Sequence, residues 1–180
     1  EEFSALVANY AAALTVGNGL DSETRLGPLI NKTQQQHVLQ IIEQAKEEKN
    51  NIITGGTAQH PGNFVLPTVI EVTNKQSEFI HKEIFGPVMP LIPFSTIEEV
   101  ITLANQTPYG LSAYIWTNNI NHAIYLSEAL EFGMVGINEW APHATEAPFG
   151  GWKQSGIGHE SGSEGMMEYM EKKLIAIGGL

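Results

Sequence analysis

Between residues 31 and 138 short apolar runs alternate with stretches of helical periodicity, and this alternation restricts the chain to a narrow class of folds. A helical period opens at Asn31, with Val38, Ile41, Ile42 and Ala45 on one face and Lys46 and Lys49 near its C-terminal end. Asn31 and Gln34 have capping-box spacing. Ile52-Ile53-Thr54 reads as a short strand halted at Gly55-Gly56. Phe64 to Val72 is apolar but interrupted by Pro67, which predicts an edge or bent strand. Pro87 to Phe94 is another strand candidate, and Pro90 and Pro93 push it toward an edge or a bulge. Ser95 and Thr96, three residues before Glu98 and Glu99, start a helix whose inner face is Ile97, Val100, Ile101 and Ala104. Leu111 to Thr117 is a strand, a helix from Asn119 turns Ile120, Ala123, Ile124 and Ser127 inward, and Met134 to Asn138 is a strand after Gly133. The expected fold is α/β, an open, mostly parallel sheet with flanking helices.

The two ends differ from this middle. The chain opens in helical register, with Phe3, Leu6, Val7, Tyr10, Ala11 and Leu14 forming a stripe that should stop by Gly17-Asn18-Gly19. No initiator Met or capping residue precedes the stripe, as in a segment cut from a longer protein. Residues 139–165 are rich in glycine and polar residues and read as a long ordered loop, the kind of segment that carries function. Met166 to Lys172 suggests a short helix, and Leu174-Ile175-Ala176-Ile177 a terminal strand.

Charge and composition remove several classes of function. Nine basic residues against 20 acidic ones give a net charge of −11, which repels a phosphate backbone or an anionic membrane. Nucleic acid and membrane are therefore not expected partners. The N-terminus lacks the basic start and apolar run of a signal peptide. The chain contains 0 cysteines, which excludes a disulfide framework and fits a cytoplasmic protein. His37, His60, His81, His122, His143 and His159 show no H-x-H or H-E-x-x-H spacing, so no metal site is expected. Neither Gly17-Asn18-Gly19 nor Gly156-Ile157-Gly158 completes a dinucleotide fingerprint between a strand and a helix. The sequence around Ser155 lacks both glycines of a hydrolase elbow.

Two segments invite a functional reading. In Glu83-Ile84-Phe85-Gly86-Pro87 an extended backbone would point Glu83 and Phe85 to one face. A carboxylate there can accept hydrogen bonds from vicinal hydroxyls while the ring packs a flat heterocycle, as in a nicotinamide riboside. A solvated Glu beside a core Phe is the structural alternative. The second segment, Ala147 to Gly162, contains glycines at 150, 151, 156, 158 and 162. It is either an elaborate connection to the terminal strand or one wall of an active-site tunnel.

Taken together and in order, these segments resemble the aldehyde dehydrogenase superfamily. Its E-x-F-G-P pattern stands at Glu83 to Pro87, its N-x-x-x-Y-G-L at Asn105 to Leu111, and its P-F-G-G-x-K-x-S-G-x-G-x-E at Pro148 to Glu160. Leu26-Gly27-Pro28-Leu29-Ile30 also matches, so the likeness covers essentially the whole chain. Within the superfamily it is strongest to succinate-semialdehyde dehydrogenases, through Gly133 to Asn138, Glu146-Ala147 and the ending Ile177 to Leu180. The resemblance implies NAD or NADP as cofactor and a small aldehyde as substrate. It makes residues 1–172 part of a catalytic domain and 173–180 a strand that joins subunits of a homo-oligomer. Glu83 would bind the nicotinamide ribose, and Phe85 and Leu111 would pack the nicotinamide ring. Phe149 would line the aldehyde tunnel, His143 would grip the far end of the substrate, and Glu160 would act in a proton relay. The semialdehyde branch often carries a serine where His143 stands.

The family's chemistry needs a Cys thiolate that forms a thiohemiacetal and then a thioester, and a Glu base that hydrolyses it. Both, like the main cofactor domain, belong to a portion of the family's sequence that precedes these residues. A fragment of an NAD(P)-dependent aldehyde dehydrogenase, inactive by itself, is the expected identity. The alternative is a non-catalytic binding or assembly module on the same scaffold.

Overall fold

The computed structural model describes residues 1–179, which form two compact units, Glu1–Pro93 and a second from Phe94 onward. In the first, helix α1 (Glu2–Ala13) is followed by α2 (Lys32–Glu47) and the strands β1 (Asn51–Thr54), β2 (Ala58–Gln59), β3 (Phe64–Val65), β4 (Thr68–Glu71) and β5 (Val88–Leu91). A 3₁₀ turn spans Glu78–His81. In the second, α3 (Ile97–Asn105), β6 (Tyr109–Gly110), β7 (Ser112–Ile115), α4 (Ile120–Ala129), β8 (Met134–Ile137), β9 (Trp152–Lys153) and α5 (Gly162–Met167) follow in order.

The α/β class is as expected, but the sheet is not one open, mostly parallel layer. β4 lies between β1, antiparallel, and β5, parallel. β7 pairs parallel with β8, while β2–β3 and β6–β9 are antiparallel two-residue ribbons. The run from Phe64 to Val72 is broken at Pro67 into β3 and β4, in line with the bent alternative, and β4 is a central strand, not an edge. Pro67 falls just before the strand, so its missing N–H removes no ladder bond, and Thr68 N donates to Pro87 O at 2.8 Å. Pro90 does sit on an edge strand, as expected.

In the first unit, α2 begins where its cap predicts, with Asn31 Oδ1 accepting from Gln34 N at 2.8 Å. Its buried stripe Val38, Ile41, Ile42 and Ala45 packs on Val65, Ile70, Val72, Ile84 and a fully buried Phe79. α1 departs from expectation. It packs on β1 and β4 through the small residues Ala8 and Ala11, while Phe3, Leu6 and Tyr10 are 63–72% exposed. Periodicity located an apolar helix, but alanines permit the close approach to the sheet and the large side chains point away.

Asn50 ties the end of α2 to the turn after β4. Its Nδ2 donates to Ala45 O (3.1 Å) and Ser77 Oγ (3.2 Å), and its Oδ1 accepts from Thr73 N (3.0 Å) and Asn74 N (3.3 Å). At 6% exposure these groups have little water to replace a lost partner. Close by, the Ser77 hydroxyl, and after it the Gln44 amide, favour the charged form of Glu48 and hold its carboxyl below the ordinary carboxylate range.

The second unit matches the predicted helix starts: Thr96 Oγ1 accepts from Glu99 N (3.1 Å), and Asn119 Oδ1 from Asn121 N (3.0 Å). Ile97, Val100, Ile101 and Ala104 are half-buried as the inner face of α3. On α4 only Ala123 is buried, whereas Ile120 and Ile124 are exposed. Residues 139–165 are less of a free loop than expected, since they contain β9 and the start of α5. The terminal helix comes earlier than predicted and ends at Met167. The expected strand at 173–180 is not formed over residues 173–179, and Leu180 lies outside the described residues. A strand needs a neighbour for its N–H and C=O groups, and this segment has none, with Leu174, Ile175 and Ile177 at least 73% exposed. Among the described residues no helix is long and apolar enough to cross a membrane, and no three His, Asp or Glu side chains are placed to hold a metal ion.

Asn50→Ala should lower unfolding free energy by about 2–3 kcal/mol, because it removes the shared acceptor of two backbone N–H donors at once; a urea midpoint equal to wild type would contradict this. Because the folded pKa of Glu48 is depressed, its stabilisation is present above the unfolded value, about 4.3, and lost as pH falls through the folded one. The urea-midpoint difference between wild type and Glu48→Gln should therefore be steady near neutrality and vanish in acid.

Candidate active site

The second unit brings three of the predicted site residues into one place. Phe149 and Glu160 exchange both backbone hydrogen bonds of an antiparallel pair, at 2.7 and 2.8 Å, which folds the glycine-rich segment back on itself. Leu111 follows β6, whose residues Tyr109 and Gly110 pair with Lys153 and Trp152 of β9. A cavity of about 320 Å³ opens between them, lined by Leu111, Phe149, Glu160, Glu168, Gly150, Gly151 and the segment from Ser155 to His159. The approach needs glycine at 133, where a Cβ would overlap the Gly150 carbonyl oxygen.

Chemically this cleft offers an apolar wall and an aromatic ring beside a carboxylate. Leu111 and Phe149 are each 39% exposed, enough to contact a bound flat ring. Among the described residues the Glu160 side chain makes no hydrogen bond or ion pair, leaving both its oxygens for a ligand or a proton. A neighbouring cavity of about 550 Å³ shares His159, Glu160 and Glu168 and adds Met166 and Tyr169.

Glu168 was missed by the sequence reading. Its Oε1 accepts from His159 N at 3.2 Å and so holds the end of the glycine-rich segment beside Glu160. A spacing of four residues from Glu160 to Glu164 to Glu168 was the available signal. In Glu164 its own backbone N–H, then the Ser163 hydroxyl, hold the carboxyl below the ordinary range. Ser155, rejected as a nucleophile, accepts from Gly110 N through Oγ at 2.9 Å.

His143 does not join this group. It is exposed in the segment after β8, its N–H bonded to Ala141 O at 2.8 Å, and it lines neither cavity.

Glu83 and Phe85 belong to the first unit. The extended backbone expected there is not formed, because Phe85 has φ of +49°. This left-handed residue breaks the alternation that would have put the two side chains on one face. Gln34 imposes the shape, its Nε2 donating to Ile84 O and Phe85 O, both at 3.0 Å, while buried Ile84 anchors the core side. The Phe85 ring is 71% exposed, and the Glu83 carboxylate is exposed and unpaired among the described residues. Beside them, Leu26 to Leu29, Val65, Gly86 and Pro87 line an apolar cavity of about 370 Å³.

Comparison with known proteins agrees with the motifs on which this site is built. The chain is 44% identical over its whole length to a mitochondrial succinate-semialdehyde dehydrogenase of Oryza sativa, and 41% identical over 98% of its length to retinaldehyde dehydrogenase 3 of Homo sapiens. It spans only 34% and 35% of those relatives. Among solved structures it resembles an NAD⁺ complex of aldehyde dehydrogenase from Bacillus cereus, with a TM-score of 0.87 and 41% identity. It also resembles betaine aldehyde dehydrogenase from Staphylococcus aureus with NAD⁺, with a TM-score of 0.86 and 34% identity. Each likeness covers 93% of this chain and 34% of the other. Residues 1–175 match the sequence profile described as "Aldehyde dehydrogenase family", and the chain belongs to that family.

Proposed function

We propose that these residues form the nicotinamide-facing and aldehyde-facing walls of an NAD(P)-dependent aldehyde dehydrogenase whose substrate is succinate semialdehyde. The observation that carries the reading is the convergence of Leu111, Phe149 and Glu160 on one cavity. Leu111 packs the nicotinamide, Phe149 excludes water beside the aldehyde, and Glu160 relays a proton at its free carboxylate. In the first unit, taken by itself, Glu83 would accept hydrogen bonds from the vicinal hydroxyls of a ribose, and Phe85 would offer its exposed ring to a flat heterocycle. The nicotinamide cofactor, when bound, supplies the two-electron acceptor. The chain contains 0 cysteines, so the attacking thiolate comes from protein outside these 180 residues, and by the family's order of motifs the hydrolytic base does too.

The substrate assignment rests on the rice relative and on a succinate-semialdehyde dehydrogenase of Paenarthrobacter nicotinovorans, 39% identical over 98% of this chain. His143, in the exposed segment after β8, would donate a hydrogen bond to the far carboxylate of the substrate. Leu174 to Ile177, exposed and apolar, would add as a strand to a second subunit.

Purified alone, the 180-residue chain should oxidise no aldehyde with either cofactor, whereas an enzyme carrying it should turn over succinate semialdehyde; activity only toward uncharged aldehydes would refute the substrate. In that enzyme His143→Ala should raise KM for succinate semialdehyde roughly 10-fold, the cost of a hydrogen bond to a charged group, and leave KM for propanal unchanged. Light scattering of the isolated chain should show dimers or larger species, and a monomer at high concentration would count against strand addition.

A further inference from the structure

Lys153 takes no part in the roles assigned above, yet three polar contacts converge on its ammonium. It adopts a φ of +54°, which is uncommon for a residue with a Cβ and persists only where surroundings enforce it. Its Nζ donates to Asn105 O at 2.8 Å and Thr107 O at 3.3 Å and pairs with Glu131 Oε2 at 2.8 Å. These partners occupy all three donors of an ammonium group. The side chain is 24% exposed and lies 6.0 Å from the centre of the Phe132 ring.

The partners show what the cation joins. Asn105 ends α3, where helix carbonyls lack partners and a positive charge is favoured. The Asn105 side chain donates to Ala129 O at 2.9 Å and accepts from Glu131 N at 2.9 Å, which ties the end of α4 to the same point. The residues after Lys153 continue the attachment, with Gln154 N donating to Pro108 O at 2.9 Å and Ser155 Oγ accepting from Gly110 N. Gly110 O and Leu111 O in turn accept from Gly133 N at 2.9 Å and Met134 N at 3.0 Å. Leu111 is therefore held by bonds that start at Lys153 and Ser155, while the same strand leads back through Gly151 and Gly150 to Phe149.

We infer that Lys153 is a positioning residue: clamped by Asn105, Thr107 and Glu131, its ammonium fixes the separation of Leu111 from Phe149 and so the width of the cleft. Its side chain does not line that cleft, so it acts through the backbone and not on a substrate. The compact ammonium, with its tetrahedral donors, suits two carbonyls and a carboxylate in a way that the planar fork of arginine does not. This inference rests on the functional reading above, because it assigns the cleft to cofactor and aldehyde.

The test is steady-state kinetics of an aldehyde dehydrogenase carrying these 180 residues, as wild type, Lys153→Met, Glu131→Gln and the double variant. Lys153→Met should raise KM for the aldehyde about 10-fold with kcat within about 3-fold. Glu131→Gln should act in the same direction, and the double variant should be no worse than Lys153→Met, since both changes open one clamp. If Lys153→Met does not fold, Glu131→Gln alone decides the matter, because it loosens the clamp with Lys153 in place: a raised KM supports the inference and a wild-type KM sinks it. A wild-type KM in Lys153→Met, or a loss confined to melting temperature and active fraction, would overturn the inference. Wild-type enzyme inactive toward every aldehyde would instead overturn the functional reading. In that case, faster hydrogen exchange at Gly110 N in the Lys153→Met chain still supports the clamp, and unchanged exchange sinks it.

Discussion

At Gly133 the backbone lies so close to the Gly150 carbonyl that no side chain can be placed between them. On one side of that contact is β8, paired parallel with β7; on the other is the segment that carries Phe149 and turns back to Glu160. Any side chain at 133 would push this segment outward and separate Phe149 from Leu111, because Gly133 N also bonds Gly110 O. The candidate site is thus built by backbone approach first, with the reactive side chains placed afterwards.

Elsewhere, polar side chains do the work that long ladders do in larger sheets. Among the described residues no strand exceeds four residues, so many backbone groups fall outside the ladders and need other partners. Asn50, Asn105 and Gln34 each supply bonds to backbone groups far away in sequence. Asn138, at φ of +52°, does the same for Thr117, accepting from its N at 3.0 Å and donating to its O at 2.9 Å. These residues set the ends of elements, and the predicted functional residues lie just beyond such ends. Phe85 follows the turn that Gln34 grips, and Leu111 follows the ribbon held by Lys153 and Ser155.

Much of this was legible in the sequence where the interaction is local. The caps at Asn31, Thr96 and Asn119 work across two or three residues, so the helix starts could be read directly. The grouping of Leu111, Phe149 and Glu160 was reached only through family motifs, since 49 positions separate the first from the last. The clamp at Lys153 left no local trace, because its carbonyl partners lie 46 and 48 residues away. Side-chain alternation at Glu83 to Phe85 failed for the same reason, as a remote glutamine reshaped the backbone.

The sequence alone determined the α/β class, the helix starts, the lack of a thiol nucleophile and the order of the motifs, all properties of neighbouring residues or of composition. Tertiary structure decided which face of α1 is buried, that β4 is central, that Glu168 stands beside Glu160, and that His143 stays outside the cleft. Those outcomes depend on which surfaces meet, and a helical or strand period is the same whichever partner covers it.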